Sequence, residues 1–372
     1  PSLNLEPLQK QININGVIDF ADSSYILTGI RKQELIDFLQ NCNNQMRKIF
    51  VLCDTNTQKH CLPLLQKKFP QTKSASVFSV NPGEAFKTIE TATAFWKFLL
   101  QQQADKHTVI INLGGGVITD LGGFAASLFK RGVDFIHVPT TLLAMVDAAV
   151  GGKNGVNIDS YKNQSGTIVL PEYVYIDTDF LETLQHDEKV NGYAEIIKHA
   201  LVADKPFYKE LSEKRNFEEL QSIEKAISIK QRIVAADPYE KKERKLLNFG
   251  HTIAHALESF YQSHQQCIFY VLAVAAGIMV ESYLSRKMGF ISDDELNHIT
   301  EFILSLFAFD DKVLDVEELL PFMMADKKNK QGQIRFTLLE SVGKGIVDVA
   351  VPIADIEEAL VWFSKQNARY GL

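Results

Sequence analysis

The sequence predicts an α/β N-terminal domain over residues 1–185, of a nucleotide-binding kind, followed by a mostly α-helical C-terminal domain over residues 186–372. Three observations carry that expectation. Between residues 48 and 176, short and nearly continuous apolar runs alternate with longer amphipathic stretches. That is the pattern of parallel strands buried by helices on both faces. Beyond residue 186 the apolar positions recur at helical spacing, and strand-like runs almost vanish until residue 334. Finally, Gly114, Gly115 and Gly116 stand between a strand pattern and a helix pattern. Glycine lets a backbone approach a ligand closely, and the amides of a helix N-terminus attract phosphate oxygens.

The elements follow in order. Ile49-Phe50-Val51-Leu52-Cys53 reads as a buried strand, with a polar turn at Asp54-Thr55-Asn56 and a helix running toward Lys68. Residues 108–113 form a second strand, leading through the glycines to a helix over 121–129. Strands at 135–139 and 173–176 complete the alternation, and the domain boundary falls near 184–190. The second half reads as helices over 193–201, 217–236, 252–261, 272–288 and 293–306, then two strands at 334–339 and 346–351. The charged stretch 240–245 reads as a solvated face.

Composition narrows the function. In 372 residues, 46% are hydrophobic and 23% charged, which excludes a disordered chain. A net charge of −7 gives no electrostatic footprint for nucleic acid, although a local basic pocket can still hold a small anion. Cys42, Cys53, Cys61 and Cys267 are too scattered for a disulfide framework and form no Cys-x-x-Cys pair, which suits a reducing cytoplasm. No apolar run approaches the ~18–20 residues that span a bilayer, and the first residues show no secretory leader, so no membrane partner is expected.

Several motifs can carry chemistry. The glycine run with Asp120 suits a nucleotide pyrophosphate, or simply a tight strand–helix turn; it is not the Gly-x-Gly-x-x-Gly fingerprint. Thr140, Thr141, Asp147, Lys153, Lys162 and Asn163 follow, read as loop residues suited to a polar phosphorylated ligand or to solvent. Arg131, after Phe129-Lys130, has the same two readings. Glu195 and Lys198 share a helix face at i,i+3. Arg244, Asn248, His251 and His255 fall on one stripe if that stretch is a single helix. His251 and His255 have the spacing of a metal-binding pair or of two hydrogen-bonded histidines; no Glu follows the first, so the metalloprotease pattern is absent. Asp326-Lys327-Lys328-Asn329 reads as a charged turn.

Taken together and in order, these motifs resemble the 3-dehydroquinate synthase family of sugar-phosphate cyclases over roughly residues 54–343. Asp54, Asn56, Glu84, Lys87, Gly115, Gly116, Asp120, Thr140 and Thr141 match its NAD-binding segments. Asp147, Lys153, Lys162 and Asn163 match Val-Asp-x-x-x-Gly-Gly-Lys and a later Lys-Asn; Glu195 and Lys198 match Ala-Glu-x-x-Lys. Lys230 and Asp237 match the helix before the glycine–histidine motif, and Arg244, Asn248, His251 and His255 match Arg-x-x-x-Asn-x-Gly-His-x-x-x-His. The resemblance implies NAD and Zn2+ or Co2+ as cofactors, with Glu195 and His251 as metal ligands. It implies that NAD transiently oxidises a ring hydroxyl of a seven-carbon sugar-acid phosphate, that phosphate leaves by β-elimination, and that the ketone is reduced again before an aldol closure. Lys153, Lys198, Lys230, Arg244, Asn248 and His255 are implied to be catalytic. Arg131, Asp147, Lys162, Asn163 and one of Lys327 or Lys328 are implied to bind substrate, with Arg131 reaching across a homodimer.

One stretch departs from the family pattern. Where the family has a third ligand in Leu-His-Gly-Glu-Ala-Val-Ala, this chain reads Phe269-Tyr270-Val271-Leu272-Ala273-Val274-Ala275. A tyrosine ligates zinc poorly while protonated, and its ordinary pKa is about 10. His264, six residues upstream, is one alternative ligand. The departure leaves open a homologue that binds NAD without turnover. A related cyclase or a metal-dependent polyol dehydrogenase of similar architecture is a further alternative.

Overall fold

The computed structural model describes residues 25–159, 161–264, 270–309, 316–324 and 334–370. Its first half is built on six parallel strands, β1 (Ile26–Thr28), β2 (Ile49–Asp54), β3 (Ser76–Val80), β4 (Val109–Gly114), β5 (Asp134–Pro139) and, after a hairpin, β8 (Tyr173–Ile176). They lie in the order β1-β8-β5-β4-β2-β3. The four expected strands are the central ones, and β2 and β4 are buried along nearly their whole length. The short edge strands β1 and β3 were not read from the sequence.

This topology fixes where a ligand can sit. From β2 the chain steps outward to β3, then returns over β2 to β4 and continues the other way to β5. The reversal opens a crevice between the carboxyl ends of β2 and β4, the usual ligand position in open parallel sheets. Asp54 ends β2 and Gly114 ends β4, so two of the sequence motifs flank that crevice.

Helices α1 (Lys32–Asn44), α2 (Thr55–His60), α3 (Leu62–Lys68), α4 (Ile89–Gln101) and α5 (Gly116–Leu128) cover the sheet. The expected helix at 121–129 begins earlier, at Gly116, because Gly115 serves as its N-cap. Gly122 and Gly123 let α5 lie close: a Cβ there would come within 1.9 Å of Asn112 and Asn154 respectively. The residues after β5 differ from the sequence reading. Asp147 lies in a π-helical turn, Ala144–Ala148, and an antiparallel hairpin of β6 (Lys153–Ile158) and β7 (Tyr161–Ile168) carries Lys153, Lys162 and Asn163 on strands rather than loops. The hairpin's exposed polar faces hid it: apart from the buried centre of β6, little is apolar enough to read as a strand.

The second half is mainly helical: α6 (His186–Ala203), α7 (Lys205–Lys214), α8 (Leu220–Ala236), α9 (His251–Ser263), α10 (Tyr270–Lys287), α11 (Asp293–Leu304), α12 (Val316–Met324) and α13 (Ile353–Tyr370). The hairpin β9 (Arg335–Ser341) and β10 (Lys344–Ala350) confirms the two late strands. One apolar core runs through both halves, joining Leu142, Met145 and Val146 of the π-helical region to Ile196, Ile197 and Ala200 of α6 and Ile227 of α8. Cys42, Cys53 and Cys61 are buried and free; burial pushes the Cys42 and Cys61 thiols up to about 11 and the Cys53 thiol up to about 12. Among the described residues no helix is long and apolar enough to cross a membrane.

Candidate active site

The glycine turn sits at the carboxyl end of β4 with no side chain capping α5. A Cβ on Gly115 would lie 3.1 Å from Thr141, and one on Gly116 would lie 3.3 Å from the Cβ of Ala148. The turn is therefore packed against the segment that carries Asp147. The Thr140 amide donates to the Gly114 carbonyl at 3.0 Å, which ties the ends of β4 and β5 together. Asp54 caps α2 by accepting from the amides of Asn56 and Thr57, while Asn56 itself is exposed.

Beside this turn lies a polar network that the sequence motifs supplied in pieces. Lys87 is buried and donates to Asp120 at 2.5 Å and Asn163 at 2.7 Å. Asn157 donates to Glu84 at 2.8 Å, and its side-chain oxygen accepts from the Asn163 amide at 2.9 Å. Burial works to lower the Lys87 pKa, but the carboxylates of Asp120 and Glu84 outweigh it and hold the ammonium above its ordinary range. Asn157 was not singled out in the sequence, since an isolated asparagine in a strand carries no signal.

The second constellation joins the two halves. Lys230 of α8 donates to the Asp147 carboxylate at 2.6 Å and to its backbone carbonyl at 2.7 Å. Burial opposes ionisation of Asp147, but the Lys230 and Lys198 ammonium groups and His199 hold its carboxyl well below the usual range. Lys230 is lowered by its burial, with Arg244 and Lys198 adding to the effect against Asp147. Glu195 is fully buried, paired with Lys198 through one oxygen, and its Oε1 lies 3.6 Å from Nε2 of His251. His199, one turn beyond Glu195, is also fully buried, with Nε2 3.6 Å from Asp147. One ligand atom from each of Asp147, Glu195 and His199 lies within 4.8 Å of the others. His199 was not among the sequence candidates.

His251 owes its position to a break in the chain. The stretch from Arg244 to His255 is not one helix: a 3-10 segment, Glu243–Asn248, ends at Phe249, and Gly250 at φ +82° turns the chain into α9. The expected single stripe is thus split, because the left-handed glycine interrupts it. Glu281 of α10, fully buried, accepts from the amides of Gly250 at 2.6 Å and Thr252 at 3.1 Å and so caps α9. Gly277 permits this approach, since a Cβ there would lie 1.8 Å from the Gly250 carbonyl oxygen. Nδ1–H of His251 donates to the Phe249 carbonyl at 3.1 Å, which leaves Nε2 directed at Glu195. The donors fit a divalent cation: the carboxylates of Asp147 and Glu195 converge with the imidazole of His199, and both His199 nitrogens are buried without a hydrogen-bond partner.

The remaining candidates divide. Glu240, read from the sequence as part of a solvated face, instead pairs with Lys153 and accepts from Asn248 at 2.6 Å. Burial works against its ionisation, yet Lys153 and Asn248 lower its pKa. Arg244 is buried and donates to the backbone carbonyls of Pro238 and Gly151, so it braces the loop before Lys153. Asp237 accepts from the amides of Lys241, Lys242 and Arg244, which shapes the same turn. Lys162 pairs with Glu258 at 2.8 Å, and His255 is exposed, with its ring edge-on to His251. Arg131 is not brought to this cluster: it is exposed beyond the far end of α5, about 18 Å of helix from the glycine turn. His264 closes the far end of α9, about 20 Å along it from His251, with its Nδ1 on the Phe260 carbonyl. Lys327 and Lys328 lie outside the described residues, as does the Tyr270 side chain.

A parallel sheet with a glycine turn at the end of β4, followed by a mainly helical second half, is the fold of the sugar-phosphate cyclases. The 2-deoxy-scyllo-inosose synthase solved with carbaglucose-6-phosphate, NAD+ and Co2+ superposes with a TM-score of 0.78 at 24% identity, covering 91% of this chain and 96% of that one. The 2-epi-5-epi-valiolone synthase of Streptomyces hygroscopicus, solved with NAD+ and Zn2+, gives 0.75 at 24% identity, covering 86% and 91%. The chain belongs to the 3-dehydroquinate synthase family: residues 77–191 match its N-terminal part and residues 192–329 its C-terminal part. The 3-dehydroquinate synthase of Parabacteroides distasonis is 40% identical over 341 residues, covering 89% of this chain and 95% of that protein. That of Campylobacter jejuni subsp. doylei is 36% identical over 320 residues, covering 83% and 90%.

Proposed function

We propose that the chain is an NAD- and metal-dependent 3-dehydroquinate synthase, converting 3-deoxy-arabino-heptulosonate 7-phosphate to 3-dehydroquinate and phosphate in aromatic amino acid biosynthesis. The observation that carries the reading is the single cluster in which Asp147, beside the glycine turn, meets Glu195, Lys198 and Lys230 of the helical half. That cluster supports the reading by bringing carboxylates suited to a cation near a glycine turn suited to an anion.

The NAD subsite is Asp54, Asn56, Glu84, Lys87, Gly115, Gly116, Asp120, Thr140 and Thr141, and bound NAD supplies reversible hydride transfer at a ring carbon. Glu195 and His251 would hold a zinc or cobalt ion, which as a Lewis acid polarises substrate oxygens. The rest of the chemistry falls to the protein's own groups. Lys153 and Asn248 already grip one carboxylate, that of Glu240, and suit a substrate phosphate or carboxylate in its place. Lys230 Nζ, lowered by burial and held on Asp147, is positioned to give up and recover a proton. Lys198 neutralises Glu195, and Arg244 fixes the Gly151 loop that presents Lys153. His255, Lys162, Asn163 and one of Lys327 or Lys328 complete the substrate contacts in this reading.

The division at residues 185/186 belongs to the same proposal, supported by α6 beginning at His186 and by the family matches meeting at residues 191 and 192. So does a homodimer, in which the exposed Arg131 serves a neighbouring site, and a cytoplasmic location, in keeping with the free cysteines. The test is phosphate release from the heptulosonate with NAD and Zn2+ or Co2+ present. Stoichiometric phosphate with no net NADH supports the reading. NADH accumulating from a simple polyol would make the chain a dehydrogenase. NAD binding without phosphate release is the outcome that the Tyr270 departure favours under the alternative of a silent homologue.

A further inference from the structure

The proposed cation site needs more donors than the motifs provide. Catalytic zinc usually takes three protein ligands and keeps one position open. Glu195 and His251 supply two, Tyr270 stands at the sequence position of the third, and His264 is held at the far end of α9. The structure offers another imidazole. His199 follows Glu195 at i,i+4 on α6, so both side chains leave the same helix face. Its ring is 0% exposed, and neither Nδ1 nor Nε2 has a hydrogen-bond partner. At 3.6 Å from Asp147, Nε2 is too distant for a hydrogen bond but well placed to share a small ion with that carboxylate. A buried polar ring without a partner is destabilising in an ordinary protein interior. A residue kept in that state beside the buried Glu195 carboxylate and the half-buried Asp147 carboxylate has the environment of a ligand.

We propose that His199 is a direct ligand of the divalent cation held by Glu195, completing the site from α6 and Asp147 in place of the missing histidine at position 270. The present spread of up to 4.8 Å among the donor atoms must contract to the ~3.4 Å expected for ligands about 2.1 Å from one ion. The inference rests on the metal site of the proposed function.

The test uses the full-length protein with NAD and reads the metal itself. Zn2+ affinity is measured by calorimetry, and Co2+ coordination by visible d–d absorption, for wild type, His199→Gln, His199→Cys and Glu195→Gln. His199→Gln should weaken Zn2+ binding at least tenfold and change the Co2+ spectrum. His199→Cys should add a near-ultraviolet thiolate-to-cobalt charge-transfer band that wild type lacks, a signature that a merely structural position cannot produce. An unchanged affinity and spectrum in His199→Gln, or no such band in a folded Co2+-bound His199→Cys, overturns the proposal. If Glu195→Gln abolishes binding while both His199 variants behave like wild type, only His199's role fails. If Glu195→Gln also binds normally, the metal site itself has been misplaced.

Discussion

Glu281 offers the most exacting test of how the fold places His251. Its buried carboxylate accepts the Gly250 amide at 2.6 Å and the Thr252 amide at 3.1 Å. Hydrogen bonds to a charged acceptor contribute about 1.5–3 kcal/mol each, and a carboxylate at a helix N-terminus gains a further ~0.3–1 kcal/mol from the dipole. Glu281→Gln keeps one acceptor oxygen and loses the charge, so the expected cost is about 2–3 kcal/mol. Glu281→Ala leaves both amides unpaired in a dry interior and should cost about 3–5 kcal/mol. The assay is urea unfolding of the metal-free protein, followed by Zn2+ calorimetry on the folded fraction. The reasoning also requires a second effect. Once α9 loses its cap, His251 drifts from Glu195, and Zn2+ affinity should fall in both variants. Unfolding free energies within about 0.5 kcal/mol of wild type for both variants would refute the capping argument.

Three further outcomes are expected. His137 is buried and held neutral, its pKa pushed down to about 3 by burial. Its folded value lies below its unfolded one, so its contribution is complete above pH ~6.5 and is lost toward pH 3, at about 1.4 kcal/mol per pH unit. His137→Phe should flatten the pH dependence of unfolding by that slope; parallel curves would contradict the assignment. Lys230→Met removes the direct partner of the half-buried Asp147 carboxylate, leaving only Lys198 and His199 near it, and should destabilise by about 2–3 kcal/mol. Adding Asp147→Asn should recover part of that loss in denaturant melts, whereas additive losses would show the pair uncoupled. Lys87→Met releases both Asp120 and Asn163 and should weaken NAD binding at least tenfold by fluorescence titration, while an unchanged Kd would remove Lys87 from the subsite.

Much of the fold was legible because its central strands are apolar on both faces. β2, β4, β5 and β8 need no alternation to be recognised, since helices bury them from both sides. The hairpin of β6 and β7 lacked that signal: Tyr161, Lys162, Asn163 and Gln164 are all exposed, and polar runs on a hairpin resemble loops. Glu195 and Lys198 stood out because they match a motif of the family, and the structure pairs them on α6, whereas the spacing of the histidine pair left two readings open. What spacing could not show was the break at Gly250, since a left-handed glycine inside a helical pattern looks like any other glycine. Nor could it show Glu240, which sits in a charged stretch but folds inward onto Lys153. His199 escaped for a similar reason. Its neighbour Lys198 fitted a motif, and only the fold reveals that His199 is the ring left without a partner beside Asp147.

The central claim is that one cleft holds a dinucleotide at the glycine turn and a divalent cation at Glu195. Anomalous diffraction from crystals grown with NAD and Co2+ measures both at once. The account predicts a cobalt peak about 2.1 Å from the Glu195 carboxylate, with pyrophosphate density against Gly115 and Gly116. Cobalt bound away from Glu195, or a dinucleotide lying elsewhere than the carboxyl ends of β2 and β4, would contradict it.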